Sequence, residues 1–199
     1  MSQIANETWL KDSIRSKEQL RAFIEQPHEA IVKKTVAVID SHISNYLSLS
    51  PLFFLATSDD SRRTDVSPRG GAPGFVKVLD EKRLAFPDRP GNRRTDSMLN
   101  IIENPQVGMI FVIPGQDEVL RINGRAVITH HEEFIASIRW DGKTTGLAVV
   151  VEVEECFVHC PKAFKQAGLW QAEQWLPKEE QPSIAEMYQA HLRLNGYSK

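Results

Sequence analysis

The sequence predicts a mainly β protein with flanking helices, an α+β fold whose antiparallel strands close into a small barrel. Three observations carry this expectation. From residue 52 to about 160, short apolar runs recur between clusters of Gly, Pro, Asp and Ser, the spacing of strands and tight turns. Several runs are apolar on both faces while others alternate cleanly, which suits a barrel covered by helices or a partner better than an open sheet with one wet face. Apolar spacings of three and four, the mark of helices, flank this region and interrupt it once.

Residues 16–50 read as two helices. Leu20, Phe23 and Ile24 share a face, Pro27 interrupts, and Val32, Val36, Ile39, Ile43, Tyr46 and Leu47 recur at helical spacing until Pro51. The apolar run 52–57 ends in Asp59-Asp60-Ser61, turn chemistry leading to a short strand through Val66 and a Pro- and Gly-rich stretch at 67–74. Strands 75–79 and 83–86 flank the polar turn Asp80-Glu81-Lys82 as a hairpin. A helix over 94–103 follows, with Met98, Leu99, Ile101 and Ile102 expected inward and Pro105 beyond its end. Strands 107–113 and 118–129 meet across Pro114-Gly115-Gln116-Asp117. The second of them sets Leu120, Ile122, Ala126 and Ile128 on one face against Arg121, Asn123 and Arg125 on the other. A strand over 146–153 completes the series, and the tail adds 162–168 and a helix over 183–195 closed by Gly196. The expected organisation is a helical segment at 1–50 packed on a barrel at 51–175, with a helical tail at 176–199, all in one structural domain.

The 199 residues suffice for one sizeable core. With 24 Lys and Arg against 26 Asp and Glu, the formal net charge is −2, so no global field draws nucleic acid or an anionic membrane, and any anion site must be local. No aromatic-basic interleaving marks a nucleic-acid module. Glu7, Lys11, Asp12 and Arg15 interrupt the N-terminus, and no apolar run is long enough to span a bilayer. A soluble, cytoplasmic protein is expected. The two cysteines, Cys156 and Cys160, flank His159, but a structural zinc needs four ligands. No metal is expected; a strand here would put both thiols on one face and His159 on the other.

The stretch Pro87-Asp88-Arg89-Pro90-Gly91-Asn92-Arg93-Arg94-Thr95-Asp96-Ser97 leaves a strand and enters a helix. It places arginines and backbone N–H groups at the positive end of the helix dipole, where a phosphate is favoured. Arg93 or Arg94 can bind phosphate oxygens bidentately, and Thr95 and Ser97 can donate from the first turn. Asp96 opposes this, since a carboxylate there occupies the same field. The chemistry admits both a phosphate site and a capped, solvated helix. A second cluster, Asp65-Val66-Ser67-Pro68-Arg69-Gly70-Gly71, lies at another strand end. It reads alone as an ordinary turn, yet Arg69 can share an anion with the first cluster if the two strands are neighbours, and the glycines allow close approach of a flat ligand. Arg121, Asn123 and Arg125 face solvent by default, or a partner or ligand in a covered barrel. With scattered histidines and no nucleophile motif, the reactive atom of an enzyme would belong to a cofactor.

These motifs in order carry a resemblance. Ser67-Pro68-Arg69-Gly70, a hairpin, the stretch 87–94, and Asn100-Ile101-Ile102-Glu103-Asn104-Pro105 together resemble the pyridoxamine 5′-phosphate oxidase-like flavin proteins, and more narrowly a bacterial branch described as FMN-dependent enzymes. The likeness continues through Leu120-Arg121-Ile122-Asn123-Gly124-Arg125-Ala126 and His159-Cys160-Pro161-Lys162-Ala163-Phe164 to Gly168-Leu169-Trp170, covering about residues 30–175. It implies a six- to seven-stranded antiparallel split β-barrel that forms a homodimer with two FMN molecules at the interface. It implies a phosphate grip by Arg69, Arg93, Arg94 and Ser97 around the turn at Asn92, with Ser67 and Pro68 along the isoalloxazine. Lys162 and Trp170 would reach the flavin held mainly by the other subunit. The activity implied is FMN-dependent oxidoreduction of a small molecule, with NAD(P)H as a possible electron donor. A deazaflavin-dependent reductase and a flavin- or haem-binding carrier or sensor are the alternatives. The sequence departs from pyridoxamine phosphate oxidases proper: residues 67–74 replace their basic strand motif, and their substrate-phosphate residues have no match near the C-terminus.

Overall fold

Burial along Leu52–Ser58 (β1) alternates, with Phe53, Leu55 and Thr57 buried and Phe54 and Ala56 exposed, as expected of a strand packed on one face. The computed structural model describes residues 10–138 and 140–197; the N-terminal expectations at 1–9 lie outside the described residues. Six further strands follow: Thr64–Gly70 (β2), Lys77–Val78 (β3), Arg83–Pro87 (β4), Gln106–Val112 (β5), Val119–Thr129 (β6) and Ala148–His159 (β7). They form one seven-stranded sheet in the order β2-β1-β5-β6-β7-β4-β3, and every pairing is antiparallel.

The sheet curls on itself. Phe53 on β1 meets Phe86 on β4 at 4.9 Å between ring centroids, although β5, β6 and β7 stand between those strands in the sheet. Phe111 at 4.9 Å and Phe75 at 5.7 Å complete the aromatic centre, around which Leu55, Leu84, Met109, Leu120, Ile122, Val149 and Val151 are fully buried. Closure of the barrel was expected and does not occur: β2 and β3 each keep one unpaired edge. The chain leaves β2 through residues 71–74, and the two-residue β3 pairs only with β4. The result is a split barrel. A bulge at Asn123/Gly124 bends β6 against β7. Gly124 is obligatory there, since a Cβ would lie 2.0 Å from the Glu152 carbonyl oxygen.

The helices differ from expectation in three places. Residues 16–50 form three helices, Lys17–Phe23 (α1), Glu29–Lys33 (α2) and Ser41–Leu49 (α3). Asp40 caps α3 by accepting from the Ile43 N–H at 2.8 Å, and Val36 bridges to Cys156 of β7 instead of continuing a helix. A local cap and a long-range backbone pair here override continuous helical spacing. The helix Asp96–Glu103 (α4) packs on β1, β2 and β6. It turns Met98 and Ile101 inward but leaves Leu99 and Ile102 54 % and 73 % exposed. Glu132–Ile138 (α5), between β6 and β7, was not anticipated; His131 Nδ1 accepts from the Phe134 N–H in its first turn. Lys162–Gln166 (α6) and Ile184–Leu194 (α7) follow β7, and Ser183 caps α7. Cys156 is buried and Cys160, beyond the strand end, is exposed. Burial pushes the Cys156 thiol up to about 12. Among the described residues no helix is long and apolar enough to cross a membrane.

Candidate anion site at the start of α4

Where β4 ends, the chain is committed to a tight turn. Asp88 is anchored by its N–H to the Leu147 carbonyl at 2.9 Å and accepts back from Thr145 N–H at 3.0 Å. After Pro90 and Gly91, the Asn92 side chain accepts from the Arg94 N–H at 3.0 Å, closing an Asx turn. Arg93 and Thr95 take left-handed φ values of 64° and 58°, a conformation costly for residues carrying a Cβ. Thr95 spends its hydroxyl on the Arg94 carbonyl at 2.7 Å. No side chain caps α4 among the described residues, so its first amides keep their dipolar field for a ligand.

This turn faces a cavity of about 640 Å³ whose opposite wall is β2. The register of β2 on β1 pairs Asp65, Ser67 and Arg69 with the inward Thr57, Leu55 and Phe53. All three β2 side chains therefore face the cavity, together with Asp88, Arg89, Arg93, Arg94, Asp96, Ser97 and Thr145. Four arginines stand against three aspartates. Arg94 pairs with Asp96 at 2.8 Å, well exposed, and Arg69 approaches Asp88 at 3.5 Å in a more sheltered position. Asp88 also accepts from the Thr145 hydroxyl at 2.7 Å. Arg89 donates to the Asp141 carbonyl at 3.0 Å, and its Nε is buried with no partner among the described residues. Arg93 makes no ion pair among the described residues. The hydroxyls of Ser67 and Ser97 touch at 3.0 Å. A planar or spherical anion with several acceptor atoms matches this donor set.

Six of the residues singled out in sequence thus line one cavity: Ser67, Arg69, Asn92, Arg93, Arg94 and Ser97. Pro68 does not; it sits on the other face of β2 opposite Phe54. Within one chain Lys162 and Trp170 also stand outside it. The Lys162 N–H approaches Cys160 Sγ at 3.4 Å, and the Trp170 indole donates to the Gln116 carbonyl at 3.0 Å in the β5–β6 turn. Asp65, Asp88 and Arg89 were visible in the motifs but had no assigned part. Thr145 carries no sequence signal, since it arrives from a loop 57 residues beyond the aspartate it touches.

No curated protein matches the chain. Among solved structures, HupZ of Group A Streptococcus is similar at 16% identity, with 60% of this chain and 93% of that one covered and a TM-score of 0.47. A candidate pyridoxamine 5′-phosphate oxidase from Lactobacillus delbrueckii is similar at 18% identity, with 61% and 95% covered and a TM-score of 0.49. General Stress Protein 26 from Bacillus anthracis is similar at 10% identity, with 59% and 93% covered and a TM-score of 0.43. The family model for pyridoxamine 5′-phosphate oxidase matches residues 39–160, a span that takes in all seven strands, α4 and the whole cavity wall. On that match, the chain belongs to the pyridoxamine 5′-phosphate oxidase family.

Proposed function

We propose that this protein binds FMN by its phosphate in the cavity at the start of α4 and acts as an FMN-dependent oxidoreductase on a small molecule. The observation that carries the proposal is the meeting of Arg69, Arg93 and Ser97 at an uncapped helix N-terminus, in one cavity, from two separate strand ends. The donor set fits a phosphomonoester: guanidinium forks and backbone N–H groups offer protons to its oxygens. Bound FMN would supply two-electron chemistry at its N5, exchanging a hydride with the substrate. The protein's own part is to hold and orient that group. Arg69 and Arg93 grip from facing walls, the Asx turn at Asn92 sets the backbone, and Ser97 fixes the helix end. Gly70 and Gly71 do not line the cavity; a Cβ there would meet the Pro51 carbonyl oxygen at 3.3 Å and the Phe75 ring at 2.8 Å.

A homodimer belongs to the same proposal. Phe54 and Ile110 are cross-strand neighbours, both more than a third exposed on the outer sheet face, and a second copy would cover them. Lys162 and Trp170 would then serve the partner's flavin. NADH or NADPH is the proposed electron donor.

Mass spectrometry of the ligand carried by the purified protein, with its visible spectrum, tests the reading. FMN mass and a two-band yellow spectrum are expected, bleached anaerobically by NADH or NADPH. A folded protein that takes up no FMN in a titration removes the proposal, and bound flavin that stays oxidised with every donor removes its redox part.

A further inference from the structure

The two serine hydroxyls of the cavity have already committed their protons. A carboxylate only accepts, so Ser97 donates in its 2.8 Å contact with Asp65. Its single proton spent, Ser97 accepts from Ser67 at 3.0 Å, and Ser67 accepts from Arg69 Nε at 3.3 Å. The bonds therefore run one way, from Arg69 through Ser67 and Ser97 to Asp65. An arriving phosphoryl dianion brings only acceptors. Each hydroxyl would have to give up its present bond before it could donate to the dianion.

Charge points in the same direction. Asp88 is matched by Arg69 and Asp96 by Arg94, whereas Asp65 has no cationic partner among the described residues and is answered only by a hydroxyl. The cavity that gathers four arginines thus keeps one uncompensated carboxylate facing inward from β2. Like charges across a partly solvated site repel appreciably.

We propose that Asp65 is a specificity-determining residue of this cavity: through Ser97 it keeps the hydroxyl protons of both serines away from a ligand, and it opposes a dianionic phosphate by charge. The hold on phosphorylated ligands is weakened, and the cofactor stays exchangeable. The inference rests on the reading of the cavity as a phosphate site. Asp65 acts on the phosphate and on nothing else in the ligand, so its effect must vanish when the phosphate is absent.

The test titrates the purified wild-type chain and Asp65→Asn with FMN and with riboflavin, following quenching of flavin fluorescence. Asn keeps an acceptor for Ser97 and removes the charge. FMN is expected to bind Asp65→Asn about tenfold more tightly, the scale of one charge acting across a solvated site, with riboflavin changed less than about twofold. Asp65→Ser, checked by thermal melting like the first variant, covers the event that Asn disturbs the strand. Normal FMN binding by the wild type with an unchanged or lowered FMN-to-riboflavin preference in the folded variants overturns this inference alone. A folded wild type that binds no FMN overturns the phosphate reading and the inference with it.

Discussion

Arg93 and Arg94 are adjacent in sequence and unequal in structure. Arg94 already spends its guanidinium on Asp96 at 2.8 Å with 74 % of its side chain exposed, so replacing it removes a screened, half-committed charge. Arg93 has no ion pair among the described residues and is held at φ 64°, a geometry that favours glycine. Arg93→Ala is therefore expected to weaken FMN binding by about 1.5–3 kcal/mol, the worth of a charge-assisted hydrogen bond, and Arg94→Ala by less. Arg93→Gly should lose the same affinity yet unfold about 1 kcal/mol later than Arg93→Ala, because the left-handed backbone no longer carries a Cβ. Isothermal titration and denaturant melts read the two effects separately. Equal losses from Arg93→Ala and Arg94→Ala would show that the pair with Asp96 does not commit Arg94.

The turn between β1 and β2 presents Asp65, Ser67 and Arg69 to the cavity, and a carboxylate holds it. Asp59 accepts from the Arg63 N–H at 2.8 Å and from Arg63 Nε at 2.6 Å, and Arg62 takes φ 65° in between. The Arg63 backbone bond foremost, then the Arg63 side chain, holds the Asp59 carboxyl below its ordinary value. A lowered native value means that the unfolded chain takes up the proton first as pH falls. The contribution of Asp59 to stability is thus complete above the ordinary carboxylate value of about 4, and is lost as pH drops through the lower native value. Unfolding free energies of the wild type and Asp59→Asn should differ at about pH 6 and converge below about pH 4. A gap that stays constant down to acid would show that the turn is held by shape and not by the carboxylate. The α3 helix is moored differently: the Tyr46 hydroxyl donates to the Glu118 carbonyl at 3.0 Å, a tie between the helical segment and the β5–β6 hairpin.

For the assembled protein, the proposed dimer rests on the outer face of the sheet, where Phe54 and Ile110 are exposed. Light scattering is expected to give the mass of two chains, and Ile110→Glu, which places a charge beside the exposed Phe54, is expected to give one; a wild-type mass of a single chain refutes the dimer. Much of the rest could be read from residue order. The apolar run at 52–57, the alternation in Val119–Thr129, the hairpin turn at Asp80-Glu81-Lys82 and the arginine-rich entry to α4 are local patterns, and local patterns survive in the fold because backbone geometry repeats over two or 3.6 residues. Continuous helical spacing through Val36 misled for the opposite reason: a hydrogen-bonded bridge to Cys156, far along the chain, outweighed it. The strand set and the cationic turn were thus present in the sequence, since each is written within a few neighbouring residues. The open seam, the outward turn of Pro68, the arrival of Thr145 and the bond from Ser97 to Asp65 came only with tertiary structure. They depend on which strand lies beside which and in what register, and a slip of one residue in β2 would have turned Asp65, Ser67 and Arg69 away from the cavity.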